Sequence, residues 1–364
     1  MTAAQSHRHY YPALDGLRGI AIIAVIIYHN FPYGDSLFGW LGVDLFFVLS
    51  GFLITNILME SVYPLKEEGF LKKFYIRRVL RIFPLYYLFL FAFLFLFPAL
   101  GIWKTEVSEY QENKWWFIFY LQNWLFTNNM PGTSQCLNHF WSLAVEEQYY
   151  LIWPFVILLL RKPKRLIIFL LCVLVLLFIG RSFIWYEQYS NFNYTTFYRF
   201  TRFDGICIGS LVALIVITKK DFLLTHTATV VTGLAILNFA FYFFNRSGQL
   251  PYMGFLGYTT FASMFGILVY ELSHGDNPVL KKIFSIRPLR FLGKISYGLY
   301  MFHWPVFYFL HNRFNDWFTE VFKWDLLYSH ILTGVITTAI AILLSVISYY
   351  LFELKFLKLK KKFQ

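Results

Sequence analysis

Long apolar runs recur along the whole chain and are separated by short polar segments. A helix needs about 17–25 predominantly apolar residues to cross a bilayer. By that measure the sequence predicts ten spans, at 17–31, 41–60, 82–102, 140–160, 166–186, 204–218, 228–245, 253–273, 292–312 and 329–352. The pattern therefore predicts an all-α integral membrane protein, built as a bundle of about ten transmembrane helices.

The segment 103–139, between the third and fourth predicted spans, is the one long connection. Its stretch from Trp115 to Trp124 is aromatic but too short to span comfortably, and aromatic rings favour the membrane interface. This predicts an interfacial or re-entrant helix on the outer face. Because no linker or internal repeat interrupts the rest, we expect a single transmembrane domain over 1–364, with a core of about 11–354 and a basic tail at 355–364.

Composition and charge agree with a membrane location and orient the spans. Hydrophobic residues make up 58% of the chain and charged residues 14%, against about 25% charged in soluble proteins. If both termini are cytoplasmic, the inner segments with Arg18 carry 23 of the 32 Lys and Arg residues, the outer segments 7 and the spans 2. Positive charge concentrates in cytoplasmic loops, so both termini are predicted to be cytoplasmic. The net charge of +12 then indicates contact with anionic lipid rather than with nucleic acid.

The first predicted span carries ionisable residues, which are costly in a bilayer and therefore point to function. A helix turns about 100° and rises about 1.5 Å per residue, so Arg18 and His29 lie within about 20° of one face and about 16 Å apart in depth. This stripe suits a long substrate with an anionic head and a reactive end that reaches into the membrane. The alternative is an interfacial arginine that snorkels and a histidine bonded to a neighbouring helix.

The second span begins with a buried acid, Asp44. A carboxylate orients a histidine tautomer and raises its basicity, so Asp44 is a candidate partner for His29. A structural bond to a helix terminus is the alternative. Ser50 is a candidate nucleophile, but close packing of small residues explains it better.

An arginine pair follows the second span. Arg78 and Arg81 are spaced i, i+3, so on a helix both guanidinium groups project from one side. Arginine binds phosphate through paired hydrogen bonds, which makes a cytoplasmic phosphate site plausible. The alternative is that both residues only follow the positive-inside rule.

The three cysteines show no recognisable site. Cys136, Cys172 and Cys207 are scattered along the chain, and their spacing fits neither a disulfide framework nor a metal site. We therefore expect no metal.

Five segments of the sequence form a highly specific combination. They are Asp15–Arg18 with His29, Gly42–Phe52, Arg78 with Arg81, His139–Tyr150 and Ile295–Pro305. Together they resemble the acyltransferase 3 family of bacterial membrane O-acyltransferases, and the match extends from Tyr11 to Glu353 and the basic tail. In this resemblance His29 matches the essential histidine of the family, and Arg78 and Arg81 match its Arg-x-x-Arg motif.

The resemblance implies a ten-helix bundle in the bacterial cytoplasmic (inner) membrane. It implies transfer of an acyl group, with acetyl expected, from cytoplasmic acyl-CoA to a sugar hydroxyl of a surface polysaccharide, lipopolysaccharide or lipid-linked glycan. Many relatives carry a fused periplasmic SGNH domain after the last helix, which this sequence lacks. We therefore expect either direct transfer or handover to a separate periplasmic transferase.

Acyl transfer assigns roles to these residues. It needs a base for the hydroxyl proton, cations for the phosphates of the donor and hydrogen-bond donors for the oxyanion. We expect His29 to be the base, Arg18, Arg78 and Arg81 to bind phosphate, and the oxyanion donor to be unassigned. Direct transfer and an acylated protein side chain both remain open.

The fourth span carries a polar group at its predicted outer start. Glu146, Glu147, Gln148 and Tyr150 are candidates for binding the acceptor sugar. The alternative is that the carboxylates lie there because a helix N-terminus favours negative charge.

Two further groups are predicted to be structural. Arg202 and Asp204 are interpreted as an ion pair rather than as a substrate contact. Ser296, Tyr297, Tyr300 and His303 are interpreted as a hydrogen-bonded packing cluster.

Two other classes of function compete with the enzyme. A transporter that exports a glycan lipid or small metabolite would also bury ionisable residues, but it favours inverted repeats or interrupted helices, and the sequence shows neither. A membrane scaffold without catalysis would not require the arginine motif and the intramembrane histidine.

Overall fold

Helices account for all the regular secondary structure that is described. The computed structural model describes residues 10–33, 38–63, 68–127, 135–186, 202–218, 227–244 and 252–363, and these ranges contain no β-strand. The first eight helices are α1 Pro12–Asn30, α2 Leu41–Val62, α3 Phe70–Ala99, α4 Lys104–Glu112, α5 Lys114–Ile118, α6 Gln122–Thr127, α7 Trp141–Leu160 and α8 Pro163–Tyr186. The others are α9 Asp204–Ile217, α10 Thr227–Phe244, α11 Tyr258–His274, α12 Pro278–Phe284, α13 Arg287–Val321, α14 Leu326–Ser348 and α15 Leu354–Lys360.

The predicted all-α membrane fold is confirmed. Among the described residues, seven helices are long and apolar enough to cross a membrane, namely α1, α2, α3, α7, α8, α11 and the continuous run from α14 through α15. Of the other predicted spans, α9 and α10 are shorter apolar helices, and α13 is 35 residues long. The total of ten spans and the cytoplasmic location of both termini stay predictions.

Helix α3 starts earlier than predicted and places the arginine pair on a helix. It begins at Phe70, well before the expected start at 82, because the basic residues that precede the apolar run have good helix propensity. A π-helical turn at Ala92–Leu96 interrupts its C-terminal part. Arg78 and Arg81 therefore lie on a membrane helix rather than in a loop.

The long connection does not form the single interfacial or re-entrant helix that was predicted. The stretch from Trp115 to Trp124 is divided between α5 and α6, because Tyr120 has φ 54° and ends the helical path. A non-glycine residue with positive φ breaks a right-handed helix. Residues 128–134 of this connection lie outside the described ranges.

Helix α1 packs closely along α13, and this contact positions the site. A Cβ atom on Gly19 would meet the carbonyl oxygen of Leu289, and one on Gly293 would meet that of Asp15. Glycines at such crossings let two membrane helices approach until their backbones touch. The approach fixes the register of α1 against α13, so the stripe that carries Arg18 and His29 faces α13.

Candidate active site

A basic cavity lies between the first turns of α1, the start of α13 and the C-terminal segment. We call it the vestibule, and its volume is about 540 Å³. It is lined by Tyr10, Asp15, Arg18, Arg81, Arg287, Arg290, Phe291, Gly293, Lys294, Tyr297, Tyr349, Glu353 and Leu357. Five of these side chains are cationic and two are acidic, so the vestibule is suited to an anionic ligand.

Hydroxyl groups satisfy both acids of the vestibule. Tyr10 donates a hydrogen bond to Asp15 at 2.7 Å, and Arg290 donates one to the Tyr10 oxygen at 3.3 Å. Ser348 donates to Glu353 at 3.0 Å. The acids are thus held by local hydroxyls, and no ion pair of a vestibule acid with a vestibule arginine is found among the described residues.

A second, smaller cavity continues from the vestibule into the bundle. We call it the chamber; its volume is about 90 Å³. It is lined by Arg18, Val43, Phe46, Phe47, Ser50, Arg78, Arg81, Ile82, Ser142, Leu143, Glu146, Glu147, Tyr150, Ser296, Tyr297 and Tyr300. Because Arg18, Arg81 and Tyr297 line both cavities, they mark the junction between them.

The chamber brings together most of the predicted polar residues. Ser50 and Tyr150 both donate to Glu146, at 3.0 and 3.1 Å. The guanidinium of Arg78 lies over the Tyr150 ring, 5.5 Å from its centre. The carboxylates that were placed at the outer start of their span therefore share a cavity with the arginine pair, because five or more residues of α7 precede them.

Gln148 does not line the chamber. Its amide nitrogen donates to the carbonyl of Tyr120 at 2.8 Å and to the side chain of Asn123 at 2.8 Å. Gln148 therefore links α7 to Tyr120 and to α6 of the long connection. These hydrogen bonds give it a structural role.

The wall of the chamber beyond Glu146 is a hydrogen-bonded group. Tyr300 donates to the carbonyl of His139 at 2.8 Å, and its oxygen lies 2.6 Å from the Ser142 hydroxyl. The ring centres of Tyr300 and His303 are 5.4 Å apart. The predicted packing cluster on α13 thus also forms the far wall of the chamber.

Three histidines meet behind this wall. The ring centre of His303 lies 5.3 Å from that of His29 and 5.2 Å from that of His139. The Trp304 ring lies 4.6 Å from His29. His139 and His303 are buried, whereas His29 is partly exposed. Among the described residues no group of three or more His, Cys, Asp or Glu side chains is placed to hold a metal ion.

Sequence reasoning missed the convergence of these histidines. His139 and His303 each lie within a segment that carries the resemblance, but His303 was interpreted only as packing. Which of the aromatic and polar residues of such segments meet depends on how α7, α13 and α1 pack. A motif on one helix does not contain that information.

Asp44 was hypothesised to be the partner of His29, but the structure pairs it with another residue. Its carboxylate lies 3.4 Å from Arg202, whose guanidinium also lies over the rings of Trp141 and Tyr258 at 4.7 and 4.5 Å. The side chain of Asp44 is buried. The structure therefore gives Asp44 a structural partner, because the first turn of α2 faces the start of α9 rather than the C-terminal end of α1.

The predicted pair of Arg202 with Asp204 is also wrong. Asp204 accepts two hydrogen bonds from Arg181 of α8, at 3.0 and 2.5 Å, and a third from Thr259 at 2.5 Å. Because Arg181 reaches Asp204 in bidentate geometry, Arg202 is left to pair with Asp44. Two neighbouring buried ion pairs thus replace the single one expected.

The chain matches a known protein family and several curated proteins. A model of the acyltransferase domain of the acyltransferase 3 family matches residues 11–350. The chain is 32% identical over 320 residues to the peptidoglycan O-acetyltransferase OatA of Listeria monocytogenes, covering 82% of this chain and 50% of the relative. It is 32% identical over 366 residues to YrhL of Bacillus subtilis, a putative peptidoglycan O-acetyltransferase, covering 95% and 55%.

A third relative gives a similar picture. The O-acetyltransferase OatA of Staphylococcus aureus is 32% identical over 321 residues, covering 84% of this chain and 52% of the relative. The chain thus spans about half the length of these curated relatives. No solved structure matches the chain. With a family model that covers most of its length and three such relatives, the chain belongs to the acyltransferase 3 family.

Proposed function

We propose that this multi-pass membrane protein is an O-acetyltransferase. It takes an acetyl group from cytoplasmic acetyl-CoA and delivers it to a sugar hydroxyl of a cell-surface or lipid-linked glycan, in the bacterial cytoplasmic membrane. The observation that carries the proposal is the continuity of the basic vestibule with the chamber through Arg18 and Arg81. A donor with a phosphorylated head and a long arm fits a charged entrance that leads to a polar interior.

The histidine cluster behind the far wall of the chamber, which lines neither cavity, offers a base for the transfer. The acceptor oxygen attacks the thioester carbonyl, the carbon–sulfur bond breaks, and the proton of the hydroxyl passes to a base and on to the departing thiolate. His29 is the proposed base, because it is partly exposed and lies next to the buried His303. Glu146, Glu147 and Tyr150 line the chamber that the thioester must cross, and we propose that they contact substrate there.

The acceptor class follows from the relatives rather than from the geometry. Two of the relatives are described as acting on peptidoglycan. We therefore propose a cell-wall or lipid-linked glycan as the acceptor, reached directly or through a separate periplasmic transferase.

Mass spectrometry of surface glycans tests the proposal. Glycans from cells that produce the protein should carry O-acetyl groups that glycans from deletion cells lack, and a His29→Ala variant should not restore them. If acetylation is the same in both strains but export of a glycan lipid changes, the protein is a transporter and the proposal is overturned.

A further inference from the structure

We propose that Arg287 and Arg290, at the start of α13, bind the 3′-phosphate of coenzyme A, while Arg18 and Arg81 bind its pyrophosphate. This inference rests on the proposed use of acetyl-CoA as donor. The proposed phosphate site thus extends beyond the Arg-x-x-Arg motif and is formed by residues of α1, α3 and α13.

The two cavities give the order of the subsites. Arg18 and Arg81 line both the vestibule and the chamber, whereas Arg287, Arg290 and Lys294 line only the vestibule. Coenzyme A is a linear molecule in which the thiol arm, the pyrophosphate and the 3′-phosphoadenosine follow one another. If the thioester enters the chamber, the pyrophosphate reaches the junction, and the 3′-phosphate lies among the cations that line only the vestibule.

The state of these cations supports ligand binding. The Nε atom of Arg290 is buried and has no hydrogen-bond partner among the described residues. Burying a guanidinium nitrogen without a hydrogen-bond acceptor costs free energy, and a ligand that accepts its hydrogen bond removes that cost. Arg287 and Lys294 are exposed, and they extend the positive surface from Arg290 to the mouth of the vestibule.

The helix itself adds to the site. Helix α13 begins at Arg287, and no side chain caps its N-terminus. Pro288 has no N–H and the N–H of Arg290 is bonded to Ile286, so the N–H groups of Arg287 and Leu289, with the positive end of the dipole of a 35-residue helix, favour a phosphate at this position. The arginines and the helix terminus therefore act on the same small region.

Arg78 is assigned differently from Arg81. It does not line the vestibule, and its guanidinium lies over the rings of Phe74 and Tyr150 at 5.7 and 5.5 Å. Both arginines of the motif line the chamber, but only Arg81 also lines the vestibule. Of the two, only Arg81 is therefore placed to contact phosphate at the junction.

Binding of coenzyme A and of 3′-dephospho-coenzyme A to the full-length protein in detergent separates the subsites. Loss of a hydrogen bond to a charged group weakens binding on the order of tenfold or more, so the parent should bind coenzyme A at least about tenfold more tightly than the dephospho form. Arg287→Gln and Arg290→Gln should lose this preference and keep the parent's affinity for the dephospho form. Arg81→Gln should weaken the binding of both ligands and retain the preference.

Arg165→Gln is the matched control, because Arg165 is an exposed arginine at the start of α8 that does not line the vestibule. Its preference should equal that of the parent. If the Arg287 and Arg290 variants keep the full preference, or weaken both ligands equally, the subsite assignment is overturned while the donor proposal stands. If the parent binds neither ligand, the donor proposal fails and the subsite fails with it. Monodisperse elution of each variant in size-exclusion chromatography confirms that the comparison is between folded proteins.

Discussion

The imidazole of His303 lies 5.3 Å from that of His29, ring centre to ring centre, and its Nδ1 proton is held by a backbone carbonyl. His303 Nδ1 lies 2.8 Å from the carbonyl oxygen of Tyr300, which can only accept, so Nδ1 carries the hydrogen. The Nε2 atom of His303 is buried and has no hydrogen-bond partner among the described residues. In its neutral form His303 has an acceptor nitrogen in the cluster that holds His29, where it can orient the imidazole of this proposed base.

His29→Ala should abolish O-acetylation while the protein remains folded and inserted. General base catalysis contributes on the order of 10²–10⁴-fold, so the acetyl content of surface glycans should fall to the deletion background. Mass spectrometry of the glycans measures this, with protein abundance followed by immunoblot. His311→Ala is the control, because His311 lies further along α13 and contacts Phe307 and His330 instead. Normal acetylation from an equally abundant His29→Ala protein would exclude His29 as the base.

Arg81→Lys and Arg78→Lys should differ, although the residues belong to one motif. Arg81→Lys keeps the charge at the junction but loses paired hydrogen bonds, so acyl-CoA binding should weaken by about 1.5–3 kcal/mol, and the loss should appear in KM. Arg78→Lys loses the stacking of a planar guanidinium on Tyr150, so the loss should appear mainly in kcat. Steady-state kinetics with purified protein distinguishes the two. Equal changes in both parameters for both variants would contradict the separate assignment.

Cysteine accessibility tests the orientation that the basic residues predict. Ser108→Cys, exposed on α4, should react with an impermeant maleimide added outside the cell, and Lys72→Cys, exposed on α3, should not. The native Cys136 is fully buried and is unsuitable as a reporter, and Cys172 is exposed and should first be replaced by Ser. Labelling of Lys72→Cys instead of Ser108→Cys would invert the topology.

The sequence predicts the membrane helices well because hydropathy and length are local properties. The arginine pair, His29 and Glu146 were also identifiable, since ionisable groups in apolar runs are costly and stand out. How these residues are arranged relative to one another in the folded protein was not predictable. Arg287 and Arg290 are indistinguishable by sequence from basic residues that only set orientation, and their proposed role depends on the glycine-mediated approach of α1 to α13.

The partner of Asp44 is another feature that could not be predicted from the sequence. Any of several arginines could pair with a buried carboxylate, and the choice between Arg181 and Arg202 depends on how α8 and α9 pack against α2. Helix packing in a membrane is decided by shape and polar contacts rather than by hydropathy. The sequence therefore indicates that Asp44 needs a partner without naming it.

Arg202→Ala should destabilise the protein by about 3–5 kcal/mol, because it leaves the carboxylate of Asp44 buried without its ion pair. The double variant Asp44→Asn with Arg202→Leu should lose less than Arg202→Ala alone. Lys162→Ala, an exposed residue, should change the free energy of unfolding by no more than about 0.5 kcal/mol. Thermal and denaturant unfolding in detergent provide the measurement. A double variant less stable than Arg202→Ala would argue against an ion pair as the cause.

Gly293→Ala should disturb both the fold and the vestibule. Its new methyl group would meet the carbonyl oxygen of Asp15 on α1, so the two helices must separate. Overpacking of this kind costs about 1–3 kcal/mol. Because Arg18 of α1 and Arg290 of α13 both line the vestibule, the affinity for coenzyme A should fall together with the thermal midpoint. Gly233→Ala is the control, since nothing lies within 4 Å of its Cβ position and alanine favours the helix by up to about 1 kcal/mol. A Gly293→Ala protein with unchanged midpoint and unchanged affinity would mean that the close approach of α1 to α13 does not position the site.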